Sequence, residues 1–226
     1  AITGGDVLAT APDYAFSFLQ DLPLGDYHRL EGYLYPDTYE FTTPQNPLYV
    51  INKMLVRFDA KLTEELRQQI ADSGRTIHEV LTVASMIEKE TDGTDRTTIA
   101  SVIYNRLNNS SEFPYLQVDA SVLYGLGRTG GKLSDEDLKS DSEYNLYNHK
   151  GLPPGPICNP GYASLYAASH PESHDYYYYV AMPDGSHLFA SSYEEHQRNI
   201  ATSNAAQAQA ASENANADQR TEVSGE

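Results

Sequence analysis

The sequence has a single cysteine, Cys158, and no tryptophan. One cysteine excludes an internal disulfide and a cysteine-based zinc cluster. No apolar run approaches the roughly 18 residues that a membrane span needs. No basic-then-apolar signal segment opens the chain. The opening AITGGDV reads as the middle of a longer protein. Basic residues are scarce: 15 Lys and Arg stand against 32 Asp and Glu, a formal charge of -17. That balance argues against nucleic-acid binding through phosphate contacts. It also argues against electrostatic attachment to an anionic membrane surface. A Gly-x-Ser-x-Gly elbow is missing. Gly127 to Gly131 lacks the Gly-Lys-Ser/Thr ending of a phosphate loop. Cys158 lies in a proline-rich turn with no histidine signature near it, which argues against a thiol nucleophile. His170 and His174 have i,i+4 spacing, but Pro171 between them favours a turn and no third ligand is evident. Neither a metal nor a cofactor is expected.

What is present supports a core. The chain has 226 residues, 40% of them hydrophobic, enough for one large domain or two small ones. Tyrosine is abundant, 18 against 6 Phe. Its flat apolar face and polar tip suit a sugar groove and a half-buried strand alike. The run Tyr176 to Tyr179 reads as strand.

The pattern predicts a short helix over Pro12 to Leu22, then an extended, aromatic segment over Leu30 to Phe41 broken by Gly32 and Pro36. One long amphipathic helix is predicted over Asn46 to Ser73, ended by Gly74. Further helices are predicted over Thr76 to Thr91, Thr94 to Leu107 and Asp119 to Tyr124, the last capped by Asp119. Gly151 to Gly161 (GLPPGPICNPG) is too rich in proline for helix or central strand. Sandwiched between structured elements, it is expected to wall a site. A short helix over Tyr162 to Ser169 follows. Tyr176 to Met182 and His187 to Ala190 form a hairpin across Pro183-Asp184-Gly185. A closing helix starts at Ser192. After Thr202 the composition turns to Ala, Asn, Gln, Ser and Glu, a tail that is mobile or at most a loose solvated helix. Helices and strands are segregated, which gives an α+β fold, mainly helical, with short hairpins and long Pro/Gly-rich loops.

Glu88 is the most informative residue. Ile77, Leu81, Ala84 and Glu88 follow at spacings of four, three and four, one face of a helix. Three of them are apolar and the fourth is an acid, while Lys89 and Glu90 turn away. An acid at the edge of a core loses solvation, which raises its pKa above the usual value. A protonated carboxyl in a cleft is what glycosidic-bond cleavage needs. The other reading is a helix-end Glu that reaches water past the core. Glu31 and Asp37 lie in a turn-rich segment, and Asp119 reads as a cap. One acid stands out, not two.

The segments LEGYLYPDTYEF (30–41), VASMIEKET (83–91), YNRL (104–107), LQVDASVLYG (116–125), YNLYNHKGLPPGPICNPG (144–161) and DGSHLFASSYEEH (184–196) occur in that order. Together they resemble the YceG-like endolytic murein transglycosylases of bacteria, from about Leu30 to Ala201. The resemblance implies an enzyme that cuts peptidoglycan glycan strands internally, during cell-wall assembly, and leaves 1,6-anhydro-muramic ends. It implies residues 1–201 as the catalytic domain and 202–226 as the polar tail. It also implies an N-terminal membrane anchor and a small LysM-like module upstream, a catalytic part outside the bacterial membrane, glycan strands as the binding partner, and cell-wall synthases as possible associates. The family's acid, taken as the first Glu of its Glu-Lys-Glu-Thr motif, falls on Glu88. Leu146, Ser121 and Gln197 depart from the family's residues at those places. Lytic cleavage needs one acid and no water, which agrees with the single acid read from the pattern. Gln117, Asn145, Tyr147 and Asn159 are the candidates for holding the sugars, since neutral donors suit N-acetyl and hydroxyl groups; bracing of loops is their other reading. The alternatives in function are a hydrolytic muramidase and a non-catalytic peptidoglycan-binding module.

Overall fold

The structure is a computed structural model that describes residues 16–20, 22–23, 26, 28–42, 46–91 and 93–223, with side chains described to residue 213. Most of the helix expected over Pro12 to Leu22 lies outside them. Its described part is a single 3-10 turn, Ser17–Leu19. Among the described residues there are seven α-helices and one antiparallel pair of strands. The fold is therefore α+β and mainly helical, as the segregated pattern implies.

The segment 46–73 is two helices, not one. α1 spans Pro47–Lys61 and α2 spans Glu64–Asp72. Leu62 leaves helical geometry at ψ 70°. Thr63 starts again, its side chain accepting from the Leu66 amide. Glu64 and Glu65 then sit in the positive first turn of α2. Leu55, Phe58, Leu62, Leu66 and Ile70 are all buried, so the apolar spacing passes through the break unchanged.

α3, Ile77–Glu90, is the axis of the fold. A capping box starts it: the Thr76 side chain accepts from the Glu79 amide, and Glu79 accepts from the Thr76 amide. Every residue from Val80 to Ile87 is buried. Around α3 pack α2, α4 (Arg96–Asn108), α5 (Asp119–Gly125) and α6 (Tyr162–Ser169). β1 (Tyr178–Ala181) and β2 (His187–Ala190) pair antiparallel, Tyr178 opposite Ala190 and Ala181 opposite His187. α7, Tyr193–Val223, lies on both strands. The boundary drawn at 201/202 falls inside α7. Ser203, just past it, is buried and donates to the Ala181 carbonyl at 2.7 Å.

The aromatic segment 30–41 carries turns and irregular extended chain, with no ladder partner among the described residues. It serves the core. Leu30, Tyr33 and Tyr35 are buried, and the Tyr33 ring stacks on Phe18 and meets Phe58 edge-on. Tyr33 Oη donates to His78 Nδ1 at 2.8 Å. His78 Nε2 in turn lies 3.0 Å from the Pro154 carbonyl, which fixes Nε2 as the protonated nitrogen.

The Pro/Gly-rich segment is fastened along α3 link by link. After His78, Ser85 Oγ accepts from the Ile157 amide at 2.9 Å. Cys158 Sγ donates to the Ser85 carbonyl at 3.4 Å, and burial pushes that thiol up to about 12. Asn159 Oδ1 accepts from the Leu34 amide at 3.1 Å. A segment poor in its own backbone pairs thus satisfies them against neighbours.

Candidate active site

Glu88 is the last link of that fastening. Its Oε2 accepts from the Gly161 amide at 3.3 Å and from Ser164 Oγ at 2.5 Å. Gly161 is the residue that caps α6, so a carboxylate stands at a helix N-terminus, where the dipole favours it. Glu88 is otherwise exposed. The desolvation expected from the stripe is absent. The reason lies in α3 itself: a helix buried on every side has no single core face, so a stripe cannot tell which side opens into a cleft.

Glu90 points the other way. Two residues on a helix are about 200° apart, at about 100° each. Glu90 reaches a groove of about 440 Å³. β1 supplies Tyr178 to Ala181 to its lining, and α7 supplies Tyr193, His196 and Ile200. Leu116, Gln117, Asp119, Tyr147, Arg106 and His187 complete it. No residue of 151–161 lines this groove. The segment expected to wall the site instead braces the opposite side of α3.

The groove holds two carboxyls. Burial and the charge of Asp119 push Glu90 up from 4.5 to about 7, against a hydrogen bond from Tyr179 that favours its anion. Asp119 is not a cap: α5 has Val118 at its N-cap, without a side-chain bond. The Asp119 carboxylate accepts from Tyr147 Oη at 2.6 Å. Burial and then that bond to the anion raise the Tyr147 hydroxyl above its ordinary range. Burial first and Glu90 second do the same to Tyr179.

The sequence-predicted sugar contacts divide into two pairs. Gln117 and Tyr147 line the groove beside Glu90. Gln117 has φ 58°, a left-handed value that costs a non-glycine residue about 1 kcal/mol. Its amide donates to the Leu146 carbonyl, and its Oε1 accepts from Arg106 at 2.7 Å. Asn145 is 0% exposed and has no surface to offer a sugar. Its amide group donates to the carbonyls of Leu138 and Ser140 and accepts from the Tyr147 amide. Asn159 ties the Pro/Gly segment to Leu34. Of the departures, Leu146 and Ser121 are buried and Gln197 is exposed; none lines the groove.

The pattern missed Glu90, Asp119, Arg106, Tyr179 and His187. His187 is 2% exposed at its side chain, and its Nδ1 lies 2.7 Å from Asp95 Oδ2. Asp95 Oδ1 accepts from Thr91 Oγ1 at 3.0 Å. Within Glu88-Lys89-Glu90-Thr91 the lysine is exposed and the other three side chains do different things. Glu88 holds α6, Glu90 enters the groove, and Thr91 steadies the Asp95–His187 pair. A signal for Glu90 was available in its helical angle from Glu88. A partner for it, Tyr179, lies far along the chain and left no local trace.

A profile of the YceG-like family matches residues 7–202. An endolytic murein transglycosylase of Bacillus subtilis is 40% identical over 172 residues, covering 76% of this chain and 47% of that protein. One of Streptococcus pneumoniae is 36% identical over 195 residues, covering 82% of this chain and 35% of that protein. The chain thus spans less than half the length of these relatives. The crystal structure of a YceG-like protein from Listeria monocytogenes is 42% identical, with a TM-score of 0.71, covering 76% of this chain and 55% of that one. Motif order, fold and matched length agree, and the chain belongs to the YceG-like family.

Proposed function

We propose that this chain is the cutting part of a lytic transglycosylase acting on peptidoglycan, with Glu90 as acid and then base. The observation that carries it is a groove carboxyl held near 7 by burial and a neighbouring charge. The names of the relatives from Bacillus subtilis and Streptococcus pneumoniae support the same reading. Protonated Glu90 gives its proton to the oxygen between N-acetylmuramic acid and N-acetylglucosamine. The muramic N-acetyl group supports the positive charge that develops at C1. Glu90, now a carboxylate, takes the proton from the sugar's 6-hydroxyl, whose oxygen bonds to C1 and closes the 1,6-anhydro ring. The Tyr179 hydrogen bond steadies the carboxylate between the two transfers. Gln117 and Tyr147 are placed to hold N-acetyl and hydroxyl groups.

Incubation with purified peptidoglycan and mass analysis of the products tests this. Anhydro ends, lighter by one water than reducing ends, are expected. Reducing ends would replace the reading by a hydrolytic muramidase. Asp119 is the specific observation behind that second reading, because hydrolysis through the enzyme normally uses two carboxyls.

The pH dependence follows from Glu90. The active form carries the proton, so the rate should fall as pH rises through about 7. Tyr179→Phe removes a bond that favours the anion and should move that limb up. Asp119→Asn removes the repelling charge and should move it down. A limb that neither exchange moves would separate Glu90 from the rate.

In the same proposal the longer protein is held in the bacterial membrane with this part outside, beside cell-wall synthases. Among the described residues no helix is long and apolar enough to cross a membrane, so the anchor would lie elsewhere. Protease added to intact protoplasts should remove this part; full protection would count against the placement.

A further inference from the structure

We propose that Arg106 is a carboxylate-binding subsite of the groove, taking an anionic group carried on muramic residues: the lactyl carboxylate or a carboxylate of the attached peptide. This rests on the part of the reading above that puts a peptidoglycan strand in the groove. Arg106 comes from the last turn of α4. Its guanidinium carbon sits 5.5 Å from the Phe113 ring centre and 5.6 Å from that of Tyr178. Gln117 takes one donor of the fork, which has several more. Nε is buried and has no partner among the described residues.

Arg57, Arg67, Arg128 and Arg198 each pair with an Asp or Glu, Arg29 and Arg96 donate to backbone carbonyls, and Arg75 lies over the Tyr104 ring. Arg106 pairs with no Asp or Glu among the described residues, although the groove holds Glu90 and Asp119. Burial disfavours its charge, and only tyrosines oppose that. The groups that set Glu90 are Asp119 and Tyr179; Arg106 is not among them. Its charge acts instead on the hydroxyls of Tyr147 and Tyr179, where it favours the anion. It cannot favour a positive charge developing at C1. A planar fork set beside two aromatic rings, with donors to spare, matches a carboxylate held in two bonds. N-acetylglucosamine carries no anion. The muramic substituents do.

Binding tests this in the Glu90→Gln background, where strands should persist uncut. Three probes are used: a neutral chitotetraose, a peptidoglycan tetrasaccharide stripped by amidase to its lactyl carboxylates, and the same tetrasaccharide with its peptides. A charge-assisted pair predicts a carboxylated probe bound about tenfold to a hundredfold tighter than the neutral one. Adding Arg106→Gln should bring that ratio close to one, and Arg106→Lys should retain part of it. Preference for both muramic probes assigns the lactyl group; preference for the peptide-bearing one alone assigns the peptide. A ratio near one in the parent, a ratio unchanged by Arg106→Gln, or equal weakening toward all probes would overturn the proposal. Binding is read without cleavage, so missing anhydro products would sink the lytic reading and leave this one standing.

Discussion

Glu90→Gln is expected to lower strand cleavage by about 10²–10⁴-fold, the usual worth of acid–base help. Glu88→Gln should leave most of the activity. The amide at position 90 keeps the shape and can still bond to Tyr179, but it has no proton to give at working pH. Burial and the neighbouring charge of Asp119 hold Glu90 up near 7, which is where an acid that must also act as base is most useful. Glu88 faces the α6 N-terminus instead, bonded to Gly161 and Ser164. Its amide would still accept those bonds and would lose only the attraction of charge to the helix dipole. A modest fall in melting temperature is the expected mark of Glu88→Gln. Stability also separates the two acids. Glu90 has a folded value above 4.5, so the stability it contributes as a neutral acid is full below that pH and is lost as pH rises through about 7. Glu90→Gln should flatten that part of the stability–pH curve. Release of soluble fragments from peptidoglycan measures the activity. An inert Glu88→Gln beside an active Glu90→Gln would return the acid to Glu88.

Much of the fold is legible where a local signal is strong. Thr76 and Glu79 announce the start of α3, and Pro183-Asp184-Gly185 announces the hairpin. The break after Lys61 is masked because the buried spacing from Leu55 to Ile70 runs through it. Thr63 followed by Glu64 and Glu65 was the available mark of a new start. The candidate site was half legible for a different reason. The sequence brings two acids to one helix end, but which one meets a cleft depends on β1 and α7, far along the chain. Neutral donors are equally ambiguous. The same amide that suits an N-acetyl group suits a loop carbonyl, and Asn145 and Asn159 went to loops while Gln117 faced the groove.

Gly32→Ala should cost about 2–4 kcal/mol, the sum of a backbone cost and an overpacking cost, without touching the groove. Gly32 has φ +87°, where an alanine is disfavoured by about 1 kcal/mol. A Cβ there would also meet Pro156 Cγ at 2.5 Å and Cβ at 2.6 Å, with Leu81 Cδ2 at 3.1 Å. The proline ring is stiff, and its segment is fastened to α3 through His78 and Ser85, so it cannot swing aside cheaply. Overpacking of this kind typically costs about 1–3 kcal/mol. For a chain of this size the sum corresponds to a melting temperature lower by roughly 5–15 °C. Gly151→Ala is the control. Its φ is +78°, but no atom lies within 4 Å of the added Cβ, so only the backbone cost applies. Because Pro156 lies outside the groove that holds Glu90, the folded fraction of Gly32→Ala should cut at the parent's rate at low temperature. Circular dichroism melts, with activity measured well below the transition, decide it. Equal melting temperatures for the two alanine variants would show that the aromatic segment and the Pro/Gly segment are not pressed together at this point.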